Sequence, residues 1–599
     1  EDPMIVDTIR GGSADIYPNE TNVVDVDGNI ASFNSDGFTF TGNGRQNVDT
    51  YDYVSWAFKK APKFFDIQTW DGNGVAGREI SHNLGSTPGM ILIKLLNVAT
   101  RDWVVYHRGV DSSSPENYFL NLNGTGARQS DNDTEKQFNN VAPTSTNFTL
   151  GDSDKVNGNY NNLGWTYVAY LFAHETGSDS MIQCGSYTGN QSSLPNIDLG
   201  WEPQWILFKD VTNSKNWSIV DSMRGMSVDN GSANGEKFLY ANANTTEQAD
   251  TQVEPTSTGF IVQANGTTNT NSANVIYVAI RRPNMATITD ATKVLQVHDL
   301  TSASLNTEVS TDFSPDMSLH LSGDGNNLTV SKLTGGIHTS SSNNSPRNWL
   351  YLSTTAAEDT GNYGLYYYFN STRFKISNNG HSSRSDSPFA YFFKRTKGYF
   401  DVVAYTGTGS AKTEAHGLGV APEMMWVKNR GVADPWAVYY GDNTDYLVLN
   451  TDAATVDSAN WWNDTSPTSS VFTVGTDHSV NASGEFYIAY LFATLAGVSK
   501  VGTVSHSGSS TDVNCGFSNG ARLVILKRTD SAGLWYLFDS VNGIVSGNDP
   551  YYATNETGTY GGVAHAAHIT NTDFIDPLSS GFQISGNFTD GDYLFYAVA

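Results

Sequence analysis

The sequence predicts an all-β protein made of tandem β-sandwich domains, jelly-roll or concanavalin-like, arranged as a rod. Three observations lead there. One string of residues is spelled several times at a period of about 100, far above that of a solenoid and right for small domains in series. Short aromatic and β-branched runs alternate with turns rich in Gly, Asn, Ser and Thr. No long stretch shows the 3.6-residue apolar period of a helix.

The repeats divide the 599 residues into six units, 1–62, 63–176, 177–283, 284–396, 397–495 and 496–599. The first is half a unit. Its Asp7-Thr-Ile-Arg-Gly11, Ser32-Phe-Asn-Ser-Asp-Gly-Phe38 and Tyr53-Val-Ser-Trp-Ala-Phe58 match Asp221-Ser-Met-Arg-Gly225, Thr256-Ser-Thr-Gly-Phe260 and Tyr277-Val-Ala-Ile280. Standing alone it exposes half a core. The expectation is a C-terminal part of a longer protein, or strands supplied from elsewhere; the Glu1-Asp-Pro start shows no signal peptide.

The second unit carries Ile80-Ser-His-Asn-Leu-Gly-Ser-Thr-Pro-Gly-Met-Ile-Leu-Ile-Lys94 and then Trp103-Val-Val-Tyr106. The fifth repeats it as Glu414-Ala-His-Gly-Leu-Gly-Val-Ala-Pro-Glu-Met-Met-Trp-Val-Lys428 with Trp436-Ala-Val-Tyr439. Weaker copies occupy the third unit, Trp205-Ile-Leu-Phe-Lys209 with Trp217, and the sixth, Leu523-Val-Ile-Leu-Lys527 with Trp535. The second and fifth share one flavour, with His before a Leu-Gly turn. The third, the sixth and the opening half share another. The fourth is the most divergent, and its Tyr366-Tyr-Tyr-Phe369 run has no counterpart. Full units open on a strand that runs into a Gly turn and close on an aromatic-rich strand read as alternating, such as Tyr487-Ile-Ala-Tyr-Leu-Phe492. Joints as short as Lys60-Ala-Pro62 imply stiff abutment.

Composition narrows function. A net charge of -27 repels nucleic acid, so no DNA or RNA partner is expected. Two cysteines at unrelated points of their repeats, Cys184 and Cys515, give neither a disulfide framework nor a cysteine zinc site. No apolar run is long enough for a membrane span, so no membrane insertion is expected.

Residues such as Leu447-Val-Leu-Asn-Thr451, Trp461, Thr465-Ser-Pro-Thr-Ser-Ser-Val-Phe-Thr-Val-Gly475 and Tyr487–Ala493 resemble a repeated domain of tailed-phage virion structural proteins, marine ones above all. The resemblance covers nearly everything outside 284–396. It implies a virion component on the outer face of the particle: a tail fibre or similar appendage, lectin-like and non-enzymatic. Expected partners are other virion proteins and host-surface glycans, and the expected oligomer is a homotrimer. The alternative is a purely architectural capsid-decoration or tail protein. A glycan-degrading tailspike and a bacterial adhesin rank lower.

The candidate sites follow. His82 and His416 stand at equivalent positions, where three chains of a trimer bring them to a shared metal; the plainer reading is a side chain that ties down a turn, since Asp198 and Asn514 replace it elsewhere. Trp103, Trp217, Trp436 and Trp535 read as core rather than sugar platforms. Trp461, Trp462, Tyr551 and Tyr552 break that pattern and are the glycan-binding candidates. Asp131-Asn-Asp133 and Asp152-Ser-Asp-Lys-Val-Asn157 suggest Ca²⁺ ligands, with turn chemistry favoured. Nucleophile elbows, phosphate loops and repeated carboxylate pairs are missing, so no catalytic residue and no cofactor is assigned.

Overall fold

The computed structural model describes residues 2–599 apart from 27, 43–44, 50, 52, 132–135, 160–163, 178, 229–235, 283–287, 301–307, 322–326, 335–347, 360–363, 366–372, 376–377, 380–388, 556–567 and 571. The Tyr366–Phe369 run lies outside the described residues. The chain forms two compact units, one of residues up to 283 and one from 284 onward, with 227–234 belonging to the second. Among the described residues no helix is long and apolar enough to cross a membrane.

Every full module has the same plan, seen plainly in the second. Its main sheet runs, from edge to edge, Phe65–Asp71, Thr166–Ala173, Pro88–Leu95, Val104–His107, Tyr118–Asn121 and Gln129–Ser130, all antiparallel. A small second sheet pairs Arg78–Ser81 with Asn147–Leu150. The fold is all-β and sandwich-like, as the sequence predicts. The closing strand lies between the opening and third strands, and the second pairs with the seventh, as in a jelly roll. The fourth to sixth strands instead prolong the main sheet as a meander. The third, fifth and sixth modules repeat this order, and the fourth keeps five strands of it.

The closing strands are not half-buried. From Tyr487 to Phe492 every residue is buried, because both faces of the main sheet are covered. In the fifth module Tyr487, Ala489 and Leu491 point into the module's own core with Phe472 and Val474. Ile488, Tyr490 and Phe492 join a second cluster that also holds Leu319, Tyr391, Ile525 and Tyr596 of the fourth and sixth modules. A sheet covered on both sides reads as a continuous apolar run, which is what Tyr487-Ile-Ala-Tyr-Leu-Phe492 spells. The first unit has the same arrangement, with one shared cluster drawing on Ile16, Tyr170 and Val278. Within each unit the modules therefore share a core in addition to the interiors of their own.

The two flavours differ by a compensated exchange. Opposite the closing strand, Gln68 faces Ala169 and Val403 faces Ala489. In the other flavour Gly185 faces Tyr277 and Gly502 faces Phe595. A Cβ on Gly502 would sit 2.7 Å from the Phe595 ring, so a large residue on one strand requires none on the other.

Candidate functional site

The residues that the repeats share converge on the joints between modules. In each Lys strand one lysine is fully buried: Lys94, Lys209, Lys428 and Lys527. Each is paired across the hairpin or its turn with a tryptophan, Trp103, Trp217, Trp436 or Trp535, which is no more than 1% exposed. The indole N–H does not stay within its module. Trp103 donates to the Tyr17 carbonyl at 3.0 Å, Trp217 to Asn121 at 3.1 Å, Trp436 to Tyr351 at 2.8 Å and Trp535 to Val448 at 3.0 Å. In each case the acceptor belongs to the preceding module. Register places Asn121, Tyr351 and Val448 at one equivalent position of the fifth strand.

The lysine does the same. The Nζ of Lys209 donates to Thr125 O at 2.8 Å, Lys428 to Thr355 O at 3.2 Å and Lys527 to Asp452 O at 2.9 Å, again in the preceding module. Lys94 reaches Glu20 O at 3.5 Å and Arg101 O at 2.9 Å. Burial pushes all four amines down to about 8, because no carboxylate meets them directly. Their ammonium heads lie near the indole faces, 5.9 Å for Lys94 over Trp103 and 6.0 Å for Lys527 over Trp535. An asparagine fixes the tryptophan backbone: Asn123, Asn242, Asn450 and Asn555 each accept from its N–H at 2.8–3.0 Å. Asn555 opens a glycan-acceptor triplet in the sequence, yet here its side chain clamps the latch.

Three such links close a ring. In the second unit the fifth module latches onto the fourth and the sixth onto the fifth. The fourth has Leu321 where Lys428 stands and Asn327 where Trp436 stands, as the pairing of Leu321 with Phe389 shows. Asn327 nevertheless donates to Ala553 O of the sixth module at 3.2 Å, the equivalent acceptor. Tyr391 of the fourth also donates to Asp539 of the sixth at 2.7 Å. The Asp539 carboxyl is pushed up, burial outweighing the backbone N–H groups of Asn542 and Val541 and the Tyr391 hydroxyl.

The first unit closes in the same sense. Tyr170 donates to Asp7 at 2.7 Å, Trp56 to Asp221 at 3.2 Å, and His107 Nε2 lies 3.1 Å from Tyr277 O. Asp7, Asp221, His107 and Asp539 occupy one position of the module. Burial alone raises Asp7, but Arg10 beside it and the hydrogen bonds to it hold its carboxyl below the usual range. Burial pushes His107 down to about 3, so it joins the ring as neutral imidazole.

A buried ion pair completes the joint of the fourth and fifth modules. Arg430 Nη2 meets Glu358 at 2.8 Å, with neither side chain more than 1% exposed. Arg395 meets Asp401 at 2.6 Å.

The sugar-stacking candidates are corrected by their burial. Ser458 caps the helical turn Ala459–Trp462 and rolls both indoles inward. Trp461 is 5% exposed and lies flat on Tyr446 at 3.6 Å, while Trp462 is 1% exposed and donates to Asp445 O. Tyr551 packs on Phe574 at 5.6 Å, and Tyr552 stacks on His568 at 4.5 Å. A glycan needs an open ring face, and none of the four offers one.

His82 and His416 tie down turns. Each accepts the backbone N–H two residues on at Nδ1 and meets a carbonyl through Nε2, Thr144 O at 3.3 Å and Thr468 O at 3.1 Å. Burial lowers both pKa values, which suits the neutral tautomer this pattern needs. The Asp/Asn clusters are also turn chemistry. Asp131 accepts from the backbone of Gln137 and Phe138, and Asn157 spends its amide on Asn73, Val75 and Gly151. Asn132 and Asp133 lie outside the described residues. Among the described residues no three His, Cys, Asp or Glu side chains converge as metal ligands.

These features define a class: tandem sandwich-like β modules grouped in threes, with a Lys–Trp latch at two joints of each group and other side-chain hydrogen bonds at the third. The chain belongs to the family described as a domain of unknown function, DUF7483, whose profile matches residues 1–282 and 395–599. The unmatched stretch is the fourth module, the full module that has Leu321 and Asn327 in place of the latch lysine and tryptophan. No curated protein matches the chain.

Proposed function

We propose that this chain is a non-enzymatic architectural protein whose two three-module rings serve as rigid building blocks. Its resemblance to repeats of tailed-phage virion proteins makes the outer face of a virion the proposed location. The carrying observation is the destination of the repeated chemistry: the shared lysines and tryptophans, and all four of the ring-position Asp and His groups, meet a neighbouring module. An attachment protein would present its repeated aromatics outward. Burial of Trp461, Trp462, Tyr551 and Tyr552 favours the capsid-decoration or tail role over glycan attachment. A ring of three within one polypeptide also supplies what a homotrimer would, so we propose that ring closure needs no second copy. Other virion proteins remain the proposed partners.

The test is a glycan array and a host-adsorption block with the purified chain, alongside its copy number in particles that carry it. The architectural reading expects a blank array and a copy number matched to a lattice or tail repeat. Sugar-dependent adsorption at micromolar protein would overturn it.

A further inference from the structure

In the sixth module a buried carboxylate stands directly before a proline. Asp549 is 0% exposed, and its two carboxyl oxygens accept the backbone N–H of Val545 at 2.9 Å and of Ile575 at 3.2 Å. The third module has a clamp at the same position. Register sets Val220 with Phe538 and Phe238 with Tyr551, and so Glu236 with Asp549. One Glu236 oxygen accepts the N–H of Gln252 at 2.9 Å and of Val253 at 3.1 Å. The clamp therefore needs a carboxylate. It needs neither an aspartate nor a following proline, since Lys237 follows Glu236.

The bond from Asp549 to Pro550 is placed for attack from within. The Asp549 carbonyl accepts the Thr572 hydroxyl at 3.1 Å, where the Glu236 carbonyl accepts the N–H of Asp250. A donor there draws electron density from the carbonyl carbon and is ready for an oxyanion. The Asp549 carboxyl is pushed up to about 6, because burial outweighs the N–H groups of Val545 and Ile575, with Asp576 and Asp573 adding to the rise. Near that pH the group is partly carboxylate and partly carboxylic acid, so a nucleophilic oxygen and a proton are both at hand. An aspartyl carboxyl reaches its own carbonyl carbon through a five-membered ring, with no approach entropy to lose, whereas a glutamyl carboxyl needs a six-membered one. Pro550 is half-buried, which leaves solvent at the bond.

We propose that the folded chain cleaves itself between Asp549 and Pro550. A carboxyl oxygen of Asp549 forms a bond to the Asp549 carbonyl carbon while Thr572 holds the oxyanion. The carboxyl proton passes to the Pro550 nitrogen, the C–N bond breaks, and Pro550 leaves as a secondary amine. The cyclic anhydride left on Asp549 takes up one solvent water and opens to two carboxyl groups. The event happens once per chain and turns over no substrate, so it stands apart from the architectural role. The cut piece stays in place, because its strand Gly591–Val598 is paired on both sides, to Ser499–His506 and to Leu523–Arg528.

The test incubates the purified full chain near pH 6 with no protease added, and reads it by denaturing gel and intact-mass spectrometry. We expect two products, residues 1–549 and 550–599, the second beginning Pro-Tyr-Tyr. Asp434–Pro435 is the control in the same chain, its carboxylate engaged by His478 at 2.6 Å. Folded protein should cut at Asp549–Pro550 at least tenfold faster than at Asp434–Pro435, and urea should erase the difference. Asp549→Glu keeps the clamp that Glu236 makes and should slow the cut at least tenfold. Pro550→Lys, which restores the residue of the third module, should do the same. The comparison of the two bonds within the unaltered chain stands whether or not a variant folds. A bond still intact between pH 5 and 7, a rate no faster than the control in folded protein, or cutting that both variants leave unchanged would overturn the proposal.

Discussion

Trp535 donates its indole hydrogen to the carbonyl of Val448, 87 residues earlier and in another module, at 3.0 Å. The same bond is made by Trp103, Trp217 and Trp436, so one side chain fills a joint and fixes its register. Trp535→Phe keeps most of the ring but leaves a buried carbonyl without that donor, at a cost of roughly 1–3 kcal/mol. Trp535→Ala adds a cavity and should cost about 3–5 kcal/mol. Urea unfolding of the full chain measures both, and a Trp535→Phe variant as stable as the parent would show that the hydrogen bond matters little.

The buried pair Arg430–Glu358 predicts a strong asymmetry between single and double changes. Glu358→Gln strands a guanidinium without its charge partner and should cost about 3–5 kcal/mol. Replacing both partners, as Arg430→Met with Glu358→Leu, should cost clearly less. A double-mutant cycle on unfolding free energies gives the answer.

Alkaline pH should stabilise the protein before it destabilises it. The latch lysines titrate near 8 when folded and near 10.5 when unfolded. Below pH 8 both states are protonated and the slope is flat. Between 8 and 10 the unfolded state holds more protons, so stability rises with pH, by up to about 1.4 kcal/mol per unit for each lysine. Above 10 the buried tyrosines reverse the trend, since Tyr170 and Tyr391 are held well above their usual value by burial and the unfolded state loses protons first. Unfolding at pH 7.5 and pH 9.5 checks the sign, and Lys527→Met should reduce the rise.

The exchange between flavours can be tested by making it. Gly502→Val drives a side chain into Phe595 and should cost about 1–3 kcal/mol. Adding Phe595→Ala reproduces the Val403–Ala489 pairing of the fifth module and should recover much of that loss, read as a rise in Tm of the double variant over the single one.

Trp461→Ala should act on stability alone. The indole stacks on Tyr446 inside the fifth module, so truncation should cost about 3–5 kcal/mol. A variant that stays as stable as the parent while losing affinity for a glycan would contradict its burial.

Much of the fold was legible in the sequence because the modules are copies. Repeated turns and strands gave the all-β class, and the four tryptophans were rightly placed in a core. Which core was not legible. Tyr487-Ile-Ala-Tyr-Leu-Phe492 shows that a strand is apolar on both faces, yet not which other strand covers the second face. The lysine that ends each Lys strand was written in all four copies, and an invariant charge at the end of an apolar run was the available signal. Trp461 and Trp462 were misread because a four-residue helical turn, set by the Ser458 cap, decides which way they face.

The sequence by itself determined the modules: local alternation, turn residues and the Gly–aromatic exchange are encoded within each copy and need no partner. Only the tertiary structure decided that three modules close on one another. That outcome depends on contacts such as Asn327 with Ala553, 226 residues apart, where a side chain meets a backbone carbonyl. Backbone carbonyls carry no sequence signature, so a ring held by them cannot be read from the letters.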